Sequence, residues 1–247
     1  MKNVSENIIL RHHILQRAAM QIPDYLMNRH YNDRYFDVVN AIEEAKHIFF
    51  DGTDIISRLS LNRQLNIGET GFGAGRVVIA LMDYLEGRSI NGLSITYNTA
   101  ELHPVTAAQM SDILDDFKKP VGHLIEQFIH TYSSIDISVH GWHEIEIKRP
   151  FGSIKINLWI GEALEMVNAL HSPCDVWFLD GHAPKKNPDI WRHELLMAIG
   201  EKTVSGGACA TYTVAGAVRR SLAKAGFEVQ QRPGAGGKKA VLKGIRQ

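Results

Sequence analysis

Cysteine is almost missing from this chain: 247 residues contain only Cys174 and Cys209. Two cysteines cannot build a disulfide framework, and no Cys/His spacing of a zinc site accompanies them. Both lie in or beside apolar runs and read as small core residues. Excess charge is missing too, with 27 Lys and Arg against 27 Asp and Glu, so the overall balance gives no argument for a polyanionic partner. No apolar run reaches membrane-spanning length. The opening Met1-Lys2-Asn3-Val4-Ser5-Glu6-Asn7 lacks the apolar centre of a secretion signal, so a cytoplasmic chain is expected. Twelve histidines are present but scattered. They form no HExxH-like pair, and no metal is expected. Internal repeats and low-complexity linkers are missing as well.

What is present suits one sizeable α/β domain with a small appendage: 45% hydrophobic and 22% charged residues over this length can bury a real core. Residues 1–60 are mixed and largely helical in pattern, ending at Asp51-Gly52, and read as an N-terminal extension; residues 61–247 read as the main domain. From Leu65 onward strands and helices alternate. Leu65 to Glu69 is a short apolar strand, and Arg76 to Leu85 places Val77, Ala80, Leu81 and Leu85 on one helical face. Leu93 to Thr99 is strand-like, and Val105 to Phe117 and residues 120–133 are helical. Trp142 to Lys148 and Ser153 to Trp159 flank the turn Arg149-Pro150-Phe151-Gly152, a hairpin signal. Val176 to Leu179 is a continuous apolar run, as in a strand buried on both faces. Pro188 to Ile199 is helical, Gly206-Gly207 opens a strand over Ala208 to Thr213, and Ala215 to Ala225 is helical. Phe227 to Gln231 and Ala240 to Leu242 close the chain as an antiparallel pair. The alternation predicts a Rossmann-like α/β fold, a doubly wound, mostly parallel sheet with an antiparallel C-terminal strand.

A glycine-rich turn between the first strand and the first helix, Gly68-Glu69-Thr70-Gly71-Phe72-Gly73-Ala74-Gly75, lets a ligand approach the backbone and presents helix N-terminal N–H groups. Dinucleotide enzymes use such a loop too. Glu69 discriminates: a carboxylate there repels a pyrophosphate and attracts a cofactor bearing a sulfonium and an ammonium. In doubly wound folds ligands sit beyond the carboxyl ends of the strands, so the acids at those ends form a set. Glu101 is placed for ribose hydroxyls, although a helix N-terminal acid needs no ligand. Glu162, in Gly161-Glu162-Ala163, is placed for an adenine amino group, or is a solvated helix-start acid. Asp180, at the end of an apolar run and before Gly181, is costly there unless it binds something. The loop from Gly181 to Trp191 is long and polar, as substrate-lining loops are. In it Lys185 and Lys186 face phosphates or solvent, and Trp191 stacks on a base or packs on the core. From Arg219 to Gln247 there are eight Lys or Arg against one acid, Glu228, a phosphate-facing patch or a solvated end.

Three segments together resemble one family. Gly68 to Gly75, Asp175-Val176-Trp177-Phe178-Leu179-Asp180-Gly181 with the loop through Trp191, and Ala210-Thr211-Tyr212-Thr213 with Ala215-Gly216-Ala217-Val218-Arg219-Arg220 are similar to the methyltransferase domain of MnmC proteins and its stand-alone relatives. Tyr35-Phe36 and Ala45 to Gly52 resemble that family's lead-in segment. The resemblance implies the class I S-adenosylmethionine-dependent methyltransferase sheet and methylation of the primary amine of 5-aminomethyl-(2-thio)uridine at the tRNA wobble position. It implies S-adenosylmethionine held by Glu69, Gly71, Phe72, Gly73, Gly75, Glu101 and Glu162, with Asp180 between cofactor and reacting amine. His182, Pro184, Lys185, Asn187, Trp191, Lys238 and Lys239 would face the substrate. A flavin-dependent oxidase, supplying the preceding step in the bifunctional members, is expected as a separate partner.

The chain departs from the family at His182, usually aromatic, and at Lys185, usually small. Gly234-Ala235-Gly236-Gly237-Lys238-Lys239-Ala240-Val241 lacks an aromatic and an arginine, and lysine has no planar fork. A methyltransferase acting on a small-molecule or peptide amine, and a cofactor-binding protein without catalysis, therefore stand as alternative readings.

Overall fold

The computed structural model describes residues 27–34, 41–115, 118–234 and 239–247. Tyr35-Phe36, Phe117, Lys238 and most of the extension expected over 1–60 lie outside these residues. Among the described residues no helix is long and apolar enough to cross a membrane.

Eight strands form one sheet: β1 (Gln64–Glu69), β2 (Leu93–Glu101), β3 (Gly141–Arg149), β4 (Gly152–Ile160), β5 (Cys174–Leu179), β6 (Thr203–Thr211), β7 (Phe227–Pro233) and β8 (Ala240–Arg246). Their order is β3-β4-β2-β1-β5-β6-β8-β7. The central strands β4, β2, β1, β5 and β6 run parallel. The hairpin strand β3 and the terminal strands β8 and β7 are antiparallel to their neighbours. The expected pattern holds, including the closing pair.

Helices cover both faces. α1 (Ala41–Ala45) runs on as a π-helical turn, Lys46–Phe50, followed by α2 (Ile55–Asn62), α3 (Arg76–Glu86), α4 (Ala107–Leu114) and α5 (Lys118–Tyr132). These share one buried cluster with Ile67, Ile95, Ile154 and Phe178 of the sheet. α6 (Ala163–Ala169), α7 (His193–Glu201) and α8 (Gly216–Lys224) share the other with Trp177, Leu179 and Cys209. Ala41, Ile48, Phe49 and Phe50 belong to the first cluster, so this part of the N-terminal segment completes the domain core. Both cysteines are buried and free, as expected.

Two local readings change. β6 begins at Thr203 rather than at Ala208, and Gly206, with φ +74°, is a kink inside the strand instead of its start. The helix expected over Pro188 to Ile199 is a 3-10 turn, Asp189–Trp191, and then α7, with Arg192 extended between them at ψ 151°.

Register is held partly by polar side chains. Asn98 Nδ2 donates to Asn66 Oδ1 at 2.7 Å and Asn157 Nδ2 donates to Asn98 Oδ1 at 2.9 Å. This ladder across β1, β2 and β4 would break on a one-residue slip. Beside it Trp177 is fully buried, and a Cβ on Gly68 would lie 2.4 Å from its ring; only glycine lets β1 and β5 approach there.

Candidate active site

After β1 the chain moves outward to β2, and later returns to place β5 on the other side of β1. This is the topological switch point, where ligands of doubly wound folds bind. A cleft lies there, at the carboxyl ends of β1, β2, β4 and β5. Thr70 to Ala74, Glu101, Gly161 to Leu164, and Asp180 to His182 with Asn187 line it.

The glycine loop is its floor. Gly73 and Gly75 have φ +57° and +76°, the left-handed region that favours glycine. A Cβ on Gly71 would sit 3.0 Å from the Asp180 carbonyl oxygen, so loop and acid are in direct apposition. Thr70 Oγ1 donates to that same carbonyl at 2.6 Å. Phe72 lines the cleft and is also core, its ring 5.9 Å from that of Tyr132.

Asp180 is anchored through both carboxylate oxygens. Oδ2 accepts from Arg76 Nη2 at 2.7 Å, and Oδ1 accepts from the Gly181 N–H at 2.9 Å. Arg76 is buried at the start of α3 and also donates through Nη1 to the Ala41 carbonyl at 2.9 Å. Glu101 accepts from the Gly73 N–H (2.8 Å) and the His103 N–H (2.9 Å), which ties β2 to the glycine loop. Burial raises its carboxyl pKa against these N–H donors. Glu162 stands at the start of α6 and pairs with Arg192 at 2.6 Å.

Glu69 stands apart. It is 1% exposed and is absent from the cleft wall. Its Oε2 accepts from Thr99 Oγ1 at 2.7 Å. Tyr97 lies beside it, yet neither the Tyr97 hydroxyl nor Glu69 Oε1 makes a hydrogen bond of normal geometry. Burial, and then the charge of Asp180, push the Glu69 carboxyl up to about 8. The unfolded chain loses that proton near pH 4.3, roughly. Between those values the folded state holds the extra proton, so this group makes stability fall as pH rises, and its dependence ends above about pH 8. Glu69→Gln, which mimics the protonated form, is expected to remove a slope of about 1.4 kcal/mol per pH unit. Urea midpoints of both proteins from about pH 5 to pH 8 check this; a gap independent of pH would contradict it.

The substrate-facing set divides. His182 and Asn187 line the cleft, whereas Pro184, Lys185 and Trp191 do not. Trp191 is 6% exposed and donates through Nε1 to the His182 carbonyl at 2.8 Å. It packs edge-on to Tyr212, 5.8 Å away, so it belongs to the core and braces the loop. Lys185 is exposed. Lys186 donates to the Asn32 carbonyl (2.7 Å) and to Asp33 Oδ1 (2.9 Å), a structural clasp instead of a phosphate contact. Lys239 is exposed just before β8, whose Leu242 pairs with Thr211 at the carboxyl end of β6; it therefore sits on the edge that carries the cleft.

Several groups of the lining leave little or no mark in the sequence. Tyr31, in the turn between the short strands Met27–Asn28 and Asp33–Arg34, reaches the cleft between His103 and His182, with ring separations of 5.8 and 4.7 Å. Nothing in its local sequence marks it. Arg76 did leave a signal: a cation in the first turn of an otherwise apolar, buried helix opposes the helix dipole and needs a partner.

The lining carries four carboxylates, Glu101, Glu162, Asp180 and Asp189, against two guanidinium groups, Arg76 and Arg192. Each guanidinium is paired to one of those acids. Burial also lowers the His182 pKa, which favours its neutral form. The surplus of negative charge suits a cationic cofactor and opposes a pyrophosphate, so the donor set fits S-adenosylmethionine. Parallel sheet, switch-point cleft and acidic lining thus define a Rossmann-like methyltransferase. Residues 120–247 match the model of a family described as S-adenosyl-L-methionine-dependent methyltransferase, and the chain belongs to that family.

Two relatives are bifunctional proteins of tRNA 5-methylaminomethyl-2-thiouridine biosynthesis, MnmC. The one from Chromobacterium violaceum is 33% identical over 224 residues, covering 88% of this chain and 33% of the relative. The one from Caulobacter vibrioides is 32% identical over 216 residues, covering 87% and 36%. The chain thus spans about a third of the length of these curated relatives. Among solved structures, MNMC2 from Aquifex aeolicus superposes with a TM-score of 0.69 at 18% identity, covering 90% of this chain and 66% of that one, which shows the shared fold.

Proposed function

We propose that this methyltransferase acts on the primary amine of a 5-aminomethyluridine, with or without the 2-thio group, at the wobble position of tRNA. The observation that carries the reading is Asp180: a carboxylate fixed by Arg76 and the Gly181 N–H, at the cleft floor directly against the glycine loop. The likeness to MnmC proteins supports tRNA as the source of the amine, and Lys239 supplies positive charge at the same edge.

S-adenosylmethionine supplies an electrophilic methyl group on a positively charged sulfur. The chain's own residues supply placement. Under this reading the backbone of Gly71 to Gly75 and the carboxylates of Glu101 and Glu162 hold the cofactor. Glu69, shut behind the loop with its carboxyl pushed up to about 8, adds no fixed charge there at neutral pH. An alkylammonium must shed a proton before its nitrogen can attack. Asp180 attracts the ammonium, aligns it through its remaining lone pairs, and assists that proton's departure. Glu101, Glu162 and the glycine loop would hold the cofactor so that its methyl group is offered directly to that nitrogen, without a covalent link to the protein.

The direct test is incubation with methyl-labelled S-adenosylmethionine and tRNA carrying the unmethylated aminomethyl nucleoside, followed by nucleoside digestion. Label in that nucleoside is expected. Cofactor binding with no label there would overturn the tRNA reading; label on a small-molecule or peptide amine in parallel reactions would replace it.

A further inference from the structure

We infer that Arg76 is a positioning residue for the transfer reaction, one that, as the ion-pair partner of Asp180, holds its carboxylate turned to the cleft while tethering it to α1. The inference rests on the reading of Asp180 given above. The charge of Asp180 raises the cost of ionising Glu69, and the Arg76 cation bonds to Asp180 Oδ2 at 2.7 Å. Glu69 is left with Thr99 and a sealed, unbonded oxygen. The second arm of the guanidinium reaches the Ala41 carbonyl at 2.9 Å, so the fork spans from α1 to β5 and sets the orientation of the acid from outside its own loop.

Folding alone does not explain the residue. A buried cation at a helix N-terminus opposes the dipole, and replacing a buried ion pair by apolar groups is often neutral or stabilising. The neighbours Val77, Val78 and Ile79 are buried and apolar, so nothing along the helix itself calls for a cation at position 76. The ion pair is therefore retained for what it does to Asp180. Besides Arg76 on α3, the groups facing Asp180 are Glu69 on β1, Tyr97 on β2, His182 in its own loop and Tyr212 after β6. Arg76 is the permanent cation among these.

The experiment compares Arg76→Met, Arg76→Lys and Asp180→Asn in the full chain, measuring kcat, cofactor Kd and the pH profile of kcat. Arg76→Met is expected to lose about 10²-fold in kcat, as for a misplaced catalytic group, with cofactor Kd little changed and the acid limb of the profile moved to higher pH. Arg76→Lys keeps the charge but lacks the fork. It should recover the acid limb and only part of kcat, and it carries the test if the methionine variant does not fold. Wild-type kcat and pH profile in the folded Arg76 variants, alongside an inactive Asp180→Asn, would overturn the role of Arg76 and leave that of Asp180 standing. An active Asp180→Asn would overturn both.

Discussion

Asp180→Asn is expected to lower kcat for methyl transfer by roughly 10²–10⁴-fold, the range for removing a group that handles a proton in the reaction, while cofactor affinity stays within a few-fold. Asparagine is the informative substitution because of what the structure places behind the acid. Its amide oxygen can still accept from Arg76 Nη2, which bonds Asp180 Oδ2 at 2.7 Å. Alanine would strand a guanidinium that is 9% exposed, and an orphaned partner of a buried ion pair costs about 3–5 kcal/mol. Asp180→Ala would thus mix a folding defect with a chemical one. Single-turnover rates and equilibrium cofactor binding, measured on the same preparations, check the prediction. Unchanged kcat would remove Asp180 from the chemistry, and a loss of affinity as large as the loss of rate would make it a cofactor ligand.

The second large effect concerns the glycine loop. Gly75→Ala is expected to destabilise the protein by about 2–5 kcal/mol, adding a left-handed backbone penalty of roughly 1–2 to an overpacking penalty of roughly 1–3. The backbone at Gly75 has φ +76°, and a Cβ there would lie 2.4 Å from the ring of Phe128. That ring is fully buried, tilted against Phe72 and stacked with Tyr132, so it has no space to retreat into. Total stabilities of domains are commonly about 5–15 kcal/mol, which makes the substitution severe. It should also weaken cofactor binding, since Gly75 caps α3 and ends the loop that floors the cleft. A shift in the urea midpoint equivalent to less than about 1 kcal/mol would show that Phe128 can move and that the loop tolerates a side chain.

The glycine loop, the acids at the strand ends and the alternation of elements were legible because each rests on local chemistry. Strand period, turn glycines and an apolar run ending in a carboxylate are visible within a few residues. Legibility failed where a neighbour distant in sequence decides. Glu69 was expected at the ligand; the carboxyl turns away from the cleft, into the layer of Thr99 and Tyr97. The sequence allows Trp191 either a base or the core, and Tyr212 with the His182 carbonyl decides for the core. The sequence allows Lys186 phosphate or solvent, and the fold instead binds it to Asn32 and Asp33, more than 150 residues earlier.

By itself the sequence determined the doubly wound sheet, the position of the cleft at its carboxyl edge, and the preference for a cationic cofactor. These follow from short-range periodicity and from the sign of the charges around one loop. Only the tertiary structure decided which cation serves Asp180, which acid is shut away, and that Tyr31 lines the cleft. Each of those pairings joins residues far apart in the chain, 104 positions for Arg76 and Asp180, and no local rule of side-chain chemistry specifies a partner at that distance. The packing of α1, α3 and β5 specifies it.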